Sequence, residues 1–218
     1  SLALSLALPL ARTGSAPVSA HGNKQKHESR NPVQRALIAH FKRHALRLTR
    51  RTGPRSILDV GCGEGYMLAA IADAGVDAEL AGLDLSAPAI ADARARLGDR
   101  ARLEVRDARE LADLGEQFDM VMMLEVLEHL PDPATMLPLL GRLARSHVLL
   151  SVPWEPFFRG LNLLRGKNIS ALGNDPEHIQ HWGRRSFVRF VERRFRPLEA
   201  PAVFPWVMVL AANDRPRA

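Results

Sequence analysis

The residues best equipped for chemistry fall in a few short runs. The run ILDVGCGEGY, residues 57–66, places Gly61, Gly63 and Gly65 in one turn beside Asp59, Cys62 and Glu64. Glycines at this spacing leave one side of the turn without β-carbons, so the backbone can adopt positive φ and let a flat ligand lie against it. Asp84 closes the apolar run ELAGLD, and Asp107 follows ARLEVR. In LEVLEHLP, residues 124–131, Glu125, Glu128 and His129 are spaced i, i+3, i+4, and one helical turn would set all three on one face. His178 and His181 follow in DPEHIQHW. Carboxylates and imidazoles beside a bound cofactor suit proton transfer.

The glycine turn also discriminates between cofactors. Dinucleotide folds prefer G-x-G-x-x-G, with the third glycine packing helix on strand, whereas this turn is G-x-G-x-G. Asp59 and Glu64 would repel a pyrophosphate seated on the helix N-terminus. A cofactor with a cationic centre and no phosphate meets no such repulsion, and S-adenosyl-L-methionine carries both a sulfonium and an ammonium. Asp84, 23 residues after Gly61, can accept two hydrogen bonds from a ribose diol. That separation supports an adenosine without naming the cofactor. The capping role before the next helix belongs more naturally to Ser86, which leaves Asp84 for ligand.

With these residues the chain resembles the class I S-adenosylmethionine-dependent methyltransferases, whose first motif looks like LDVGCGEGY; the resemblance covers about residues 50–212. It implies cofactor contacts from Asp59, Gly61, Cys62, Gly63, Gly65, Tyr66, Asp84, Leu85, Asp107, Ala108 and Leu124. In that family an acid placed like Asp107 bonds the adenine amino group, and the next amide, here that of Ala108, meets the ring. A loop acid in solvent is the alternative for Asp107. The strand end at Leu124 would lie beside the transferable methyl. The pattern E-x-x-E-H resembles two groups within the superfamily. One is the ubiquinone-biosynthesis O-methyltransferases, with an LEHLPDP-like run. The other is the small-RNA 2′-O-methyltransferases, where such residues bind a metal. Glu125 and His129 are therefore candidate catalytic residues. Glu125, Glu128 and His129 are the candidates for a divalent metal, which is less favoured than His129 lining the pocket. Small-molecule members carry a histidine in the segment after the fifth strand, followed by a serine-capped helix. His178 is thus the preferred general base, His181 the second, and a structural pair the alternative, with Ser186 as the cap.

Elements able to position these groups alternate from residue 56 onward. Apolar strands are predicted at 56–60, 79–84, 101–105, 118–124 and 147–152, with helices near 66–74, 87–97 and 133–144. Short links and βαβ alternation imply a doubly wound α/β fold with a parallel sheet. A helix at 185–194 and strands near 196–200 and 206–212, joined by the tight link 201–205, add an antiparallel pair. The expected architecture is a mostly parallel seven-stranded sheet with helices on both faces, resembling the Rossmann-like methyltransferase fold. Residues 32–218 form its domain and residues 1–31 a flexible leader. Asn31 and Pro32 read as cap and first turn of an amphipathic helix over 32–51, which docks on the domain edge, closes over the cofactor or touches a membrane surface. Residues 153–183 are too long for a plain link and read as a lid; their segment 156–167 is a second candidate membrane contact.

A length of 218 residues, 46% hydrophobic and 25% charged, suits one domain with a full core. Cys62, the single cysteine, excludes an intrachain disulfide and suits a reducing compartment; it reads as a small side chain filling the turn rather than as a nucleophile. The net charge of +6 is uneven: residues 1–55 hold 11 Lys/Arg and one acid, leaving 19 Lys/Arg against 23 acids in 56–218. A body of net −4 argues against nucleic acid as partner. The opening SLALSLALPLA is half a membrane span without a basic flank, so a leader on a cytoplasmic protein is expected rather than a signal peptide. The expected activity is methyl transfer to a hydroxyl on a small molecule: a secondary metabolite, a sugar or a quinone-like phenol. An RNA 2′-hydroxyl is the runner-up. An NAD-type oxidoreductase and a non-catalytic binding module are the rival classes. Nothing in the sequence points to an oligomeric state.

Overall fold

Uninterrupted apolar strands need cover on both faces, and the first strand has it. β1 (Ser56–Val60) is buried from Ile57 onward and lies between β2 (Glu79–Asp84) and β4 (Phe118–Leu124), parallel to both. The computed structural model describes residues 31–154, 180 and 182–214. Its sheet continues through β3 (Arg102–Val105) on one side and β5 (Ala144–Pro153) on the other. β8 (Trp206–Ala212) is antiparallel to β5 and carries β6 (Arg196–Glu199) on its outer side. The order is β3-β2-β1-β4-β5-β8-β6, with β7 (Ala202–Val203) also paired to β8. Strand directions are those expected, five parallel strands and an antiparallel pair, with eight strands instead of seven. The link over 201–205 is itself a short strand, because Val203 is buried and Ala202 and Val203 stay within ladder reach of Val207 and Trp206.

Period-two alternation along the strands divides the core into two layers. Leu58, Val60, Val121, Met123, Val148 and Leu150 face α4 (Ala108–Asp113), α5 (Met136–Leu143) and α6 (Arg184–Glu192). Ile57, Met120, Met122, Leu149, Met208 and Leu210 face α1 (Pro32–Thr52), α2 (Tyr66–Asp73) and α3 (Ala87–Leu97). α1 starts where its cap residue predicts: the Asn31 side chain accepts from the Val33 and Gln34 amides, and Pro32 occupies the first turn. It ends at Gly53 in the left-handed region. Phe41, Ala45 and Leu48 are buried against the sheet, and the Phe41 ring meets Trp206 edge-on at 5.0 Å. The apolar stripe of this helix is therefore spent on docking from Phe41 onward, whereas Val33 in its first turn is exposed. Among the described residues, no helix is long and apolar enough to cross a membrane.

Four local expectations need correction. α4 was not anticipated; its six residues are nucleated by Asp107, whose side chain accepts from the Arg109 amide. The helix expected over 133–144 is a 3-10 turn, Pro133–Thr135, followed by α5, and Ala144 already belongs to β5. Ser186 is not the N-cap of α6. Gly183 holds that position, and the Ser186 hydroxyl reaches back to accept from the Gly183 amide at 2.9 Å. Glu125, Glu128 and His129 do not share one helical turn: a 3-10 turn spans Leu127–His129 only, and Glu125 precedes it with φ +59°.

Candidate active site

The glycine turn lies at the carboxyl end of β1 and is lashed to the end of β2. The Gly61 and Cys62 amides both donate to the Leu83 carbonyl, at 2.8 and 3.0 Å, and the Gly63 amide donates to Asp84 Oδ2 at 2.9 Å. Asp84 Oδ1 accepts from the Ser86 amide at 2.8 Å, while the Ser86 hydroxyl caps α3 by accepting from Ala89. Each Asp84 oxygen thus accepts one backbone bond and keeps a lone pair for a further donor. Gly61, Gly63 and Gly65 all take positive φ, at +76°, +52° and +74°. A β-carbon on Gly61 would stand 2.7 Å from Val126 Cγ2, and one on Gly65 2.9 Å from Leu97 Cδ1. The bare backbone is demanded by the turn's conformation and by its neighbours together.

Side chains around this turn fall into three environments. Asp59 is buried at the end of β1; loss of hydration, and then the nearby Asp84 charge, push its carboxyl up to about 7. Burial raises the Cys62 thiol well above its usual value, which suits a packing residue and not a nucleophile. Leu85, directly after Asp84, is 68% exposed, and Val105, level with Asp84 on β3, is 48% exposed. Two apolar side chains held in solvent beside a carboxylate offer a surface for a flat, polar-edged ligand. Tyr66, the first residue of α2, lies under the Arg96 guanidinium at 3.8 Å, with Lys42 of α1 also over the ring. Asp107 caps α4 and pairs with Arg109, and Ala108 is buried behind it.

At the end of β4 the chain turns through Glu125, the one described non-glycine residue with positive φ. β-carbon crowding makes that conformation costly, of order 1–3 kcal/mol, so neighbours must hold it. Ser151 on β5 does so. The Glu125 amide donates to the Ser151 carbonyl and to Ser151 Oγ, both at 3.2 Å, and Ser151 Oγ donates to Glu125 Oε1 at 2.9 Å. Three residues on, the Glu128 carboxylate is buried, with His129 Nε2 3.9 Å away. Glu125 is directed to Ser151, and among the described residues no three His, Cys, Asp or Glu side chains converge as metal ligands would. The candidate triad Glu125, Glu128 and His129 is therefore not assembled as a metal site. The Gln180 amide donates to the Glu128 carbonyl, and Gln180 Nε2 donates to the Pro131 carbonyl. His178 and His181 lie outside the described residues.

Sequence reading missed Val126 against Gly61, Ser151 against Glu125, and Gly82, where a β-carbon would fall 2.8 Å from Cys62 Sγ. Only Gly82 left a trace: a lone glycine inside an apolar strand marks close approach by a neighbour.

Comparison with known proteins decides the family. The family model for a methyltransferase domain matches residues 30–194. The chain belongs to the methyltransferase domain family. The methyltransferase is 35% identical over 123 residues to a ubiquinone biosynthesis O-methyltransferase of Azorhizobium caulinodans, covering 55% of this chain and 47% of the relative. It is 39% identical over 95 residues to the protein of that name from Thiobacillus denitrificans, covering 42% and 40%. The chain thus spans less than half the length of these curated relatives. Its fold matches magnesium protoporphyrin IX methyltransferase from Synechocystis PCC 6803, solved with bound SAH, at a TM-score of 0.65 and 19% identity over 87% of this chain and 91% of that one.

Proposed function

We propose that this methyltransferase uses S-adenosyl-L-methionine to methylate a hydroxyl group on a small molecule. The observation that carries the reading is the β-carbon-free turn clamped to Asp84, with the Asp59 carboxylate buried near it and Leu85 exposed directly after Asp84. The donor supplies an activated methyl group. The chain's own residues receive, orient and enclose. Asp84 offers its remaining lone pairs to a ribose diol, Leu85 and Val105 flank the adenine, and Asp107 with the Ala108 amide reads its edge. The buried Asp59 favours a cation over a phosphate in this crevice. A hydroxyl acceptor loses a proton during transfer, and Glu125 and His129 at the end of β4 are the described residues placed to take it. His178 remains the candidate base from the segment after β5.

The O-methyltransferase relatives support a hydroxyl acceptor, and their names suggest a phenolic one. The RNA reading is the less favoured one, because a body of net charge −4 suits a polyanion poorly. A cytoplasmic location follows from the donor's own pool. Any membrane contact of α1 would be mainly electrostatic, since its apolar stripe is buried from Phe41 onward. Calorimetry with S-adenosylhomocysteine and with NAD tests the assignment: affinity for the first and none for the second is expected, and the reverse would sink it. Methyl transfer unaffected by exhaustive EDTA is the expected companion result.

A further inference from the structure

Beyond the crevice, a cavity of about 550 Å³ opens at the same edge of the sheet, lined by Trp154, Arg184, Arg185, Ser186, Arg189 and Ala202. Trp154 follows the last residue of β5, and its amide is held by the Pro205 carbonyl at 2.8 Å. Arg184 is fixed at the rim by two hydrogen bonds to the Ala200 carbonyl, at 3.1 and 2.8 Å. Arg185 and Arg189 are exposed, and among the described residues no carboxylate pairs with either. Elsewhere arginines find acids readily: Arg47 and Arg51 share Glu199, Arg145 meets Asp119, and Arg196 meets Asp214. Three exposed guanidinium groups around one cavity, none ion-paired with a carboxylate among the described residues, make a patch of positive charge whose planar forks match a carboxylate or phosphate.

Position relative to the methyl-transfer point sets the size of what enters. Ser151 is level with Leu124, and Trp154 lies three residues further along the adjacent strand. That offset is about 10 Å along the strand and about 5 Å across it. A small molecule with its hydroxyl at the end of β4 can therefore reach the cavity that Trp154 and the arginines line.

We propose that the acceptor carries an anionic group, a carboxylate or phosphate, at the end remote from its hydroxyl. Arg185 and Arg189 bind that group in the cavity that Trp154 also lines. This rests on the small-molecule methyltransferase reading and narrows its substrate class. It also selects against an uncharged acceptor of the same shape, which would leave the arginines unsatisfied.

The test uses the full chain saturated with S-adenosylhomocysteine. Calorimetry compares caffeate with its uncharged methyl ester, and inorganic phosphate serves as competitor. Caffeate is expected to bind at least about tenfold more tightly than the ester, and added salt to narrow the gap. The double variant Arg185→Gln/Arg189→Gln should bind the two alike, with S-adenosylhomocysteine affinity and melting temperature unchanged. Arg189→Glu alone should weaken caffeate further than Arg189→Gln does. Competition by phosphate as strong as that of caffeate itself would identify a phosphate ester as the source of the anion. Equal affinity for caffeate and ester in the native protein, undiminished caffeate binding in the double variant, or no binding of either anion would overturn the proposal. So would tighter Arg185- and Arg189-dependent binding of a short single-stranded RNA. Loss of S-adenosylhomocysteine binding by the native protein would instead overturn the methyltransferase reading beneath it.

Discussion

Gly61 has no room for a β-carbon and takes a backbone angle that side chains resist. Gly61→Ala must push Val126 aside and strain the turn, so affinity for S-adenosylhomocysteine should fall at least about tenfold, read by calorimetry. Asp59 gives a pH dependence whose sign is determined. Its folded pKa of about 7 lies above the ordinary 3.8, so between those values the folded protein holds a proton that the unfolded chain has released. Its contribution to stability is then full below about pH 4 and is lost as pH rises through 7. The melting temperature of the cofactor-free protein should decline across that window, and Asp59→Asn should remove that part of the slope. A bound cation favours the carboxylate, so donor affinity should rise with pH up to about 7 and level off above it. The glycines and Asp84 were legible because each works through its residue type at a fixed offset from one strand. Val126 and Ser151 were not, since their roles depend on which strand ends meet in space.

Among the helices, α1 shows which interactions hold an element in place. Its outer face reaches β6 through Arg47 and Arg51, which grip Glu199, but both guanidinium groups are about half exposed. Ion pairs in that setting contribute about 0–1 kcal/mol. Its inner face buries Leu48 completely. Leu48→Ala should therefore cost about 2–5 kcal/mol in urea unfolding, and Glu199→Gln no more than about 1 kcal/mol. Equal costs would mean that the ion pairs dock the helix. Long periodic elements such as α1 and the strands β1, β2 and β4 were readable because burial imposes a repeat that the chain must obey. Short elements obey weaker rules. The six residues of α4 are too few to show a period, and the break before α5 was hidden by Asp132-Pro133, which starts a 3-10 turn as readily as an α-helix.

Across the whole molecule, charge is divided between an acidic body and a basic N-terminal portion. The solvent face of α1 presents Arg35 and Arg43, both exposed and neither ion-paired with an acid among the described residues. At low salt the protein should sediment with phosphatidylglycerol vesicles. It should be released near physiological salt, and Arg35→Gln/Arg43→Gln should weaken the attachment, because such contacts fade beyond a screening length of about 8 Å. Binding that survives high salt would point to apolar insertion instead. Strand directions were legible from βαβ alternation, whereas the order of the strands, the length of β5 and the extra pairing of β7 were not, since ladders extend wherever a partner strand continues.

The place of β8 in that order bears on how the chain matures during synthesis. All seven of its residues are buried, and it separates β5 from β6, both of which are made before it. Until Ala212 has left the ribosome, β5 keeps a naked hydrogen-bonding margin, and β6 has no seat in the sheet. Nascent chains stalled short of that point would therefore be clients for chaperones, and β8, made after the three strands it pairs with, acts as the keystone of the sheet.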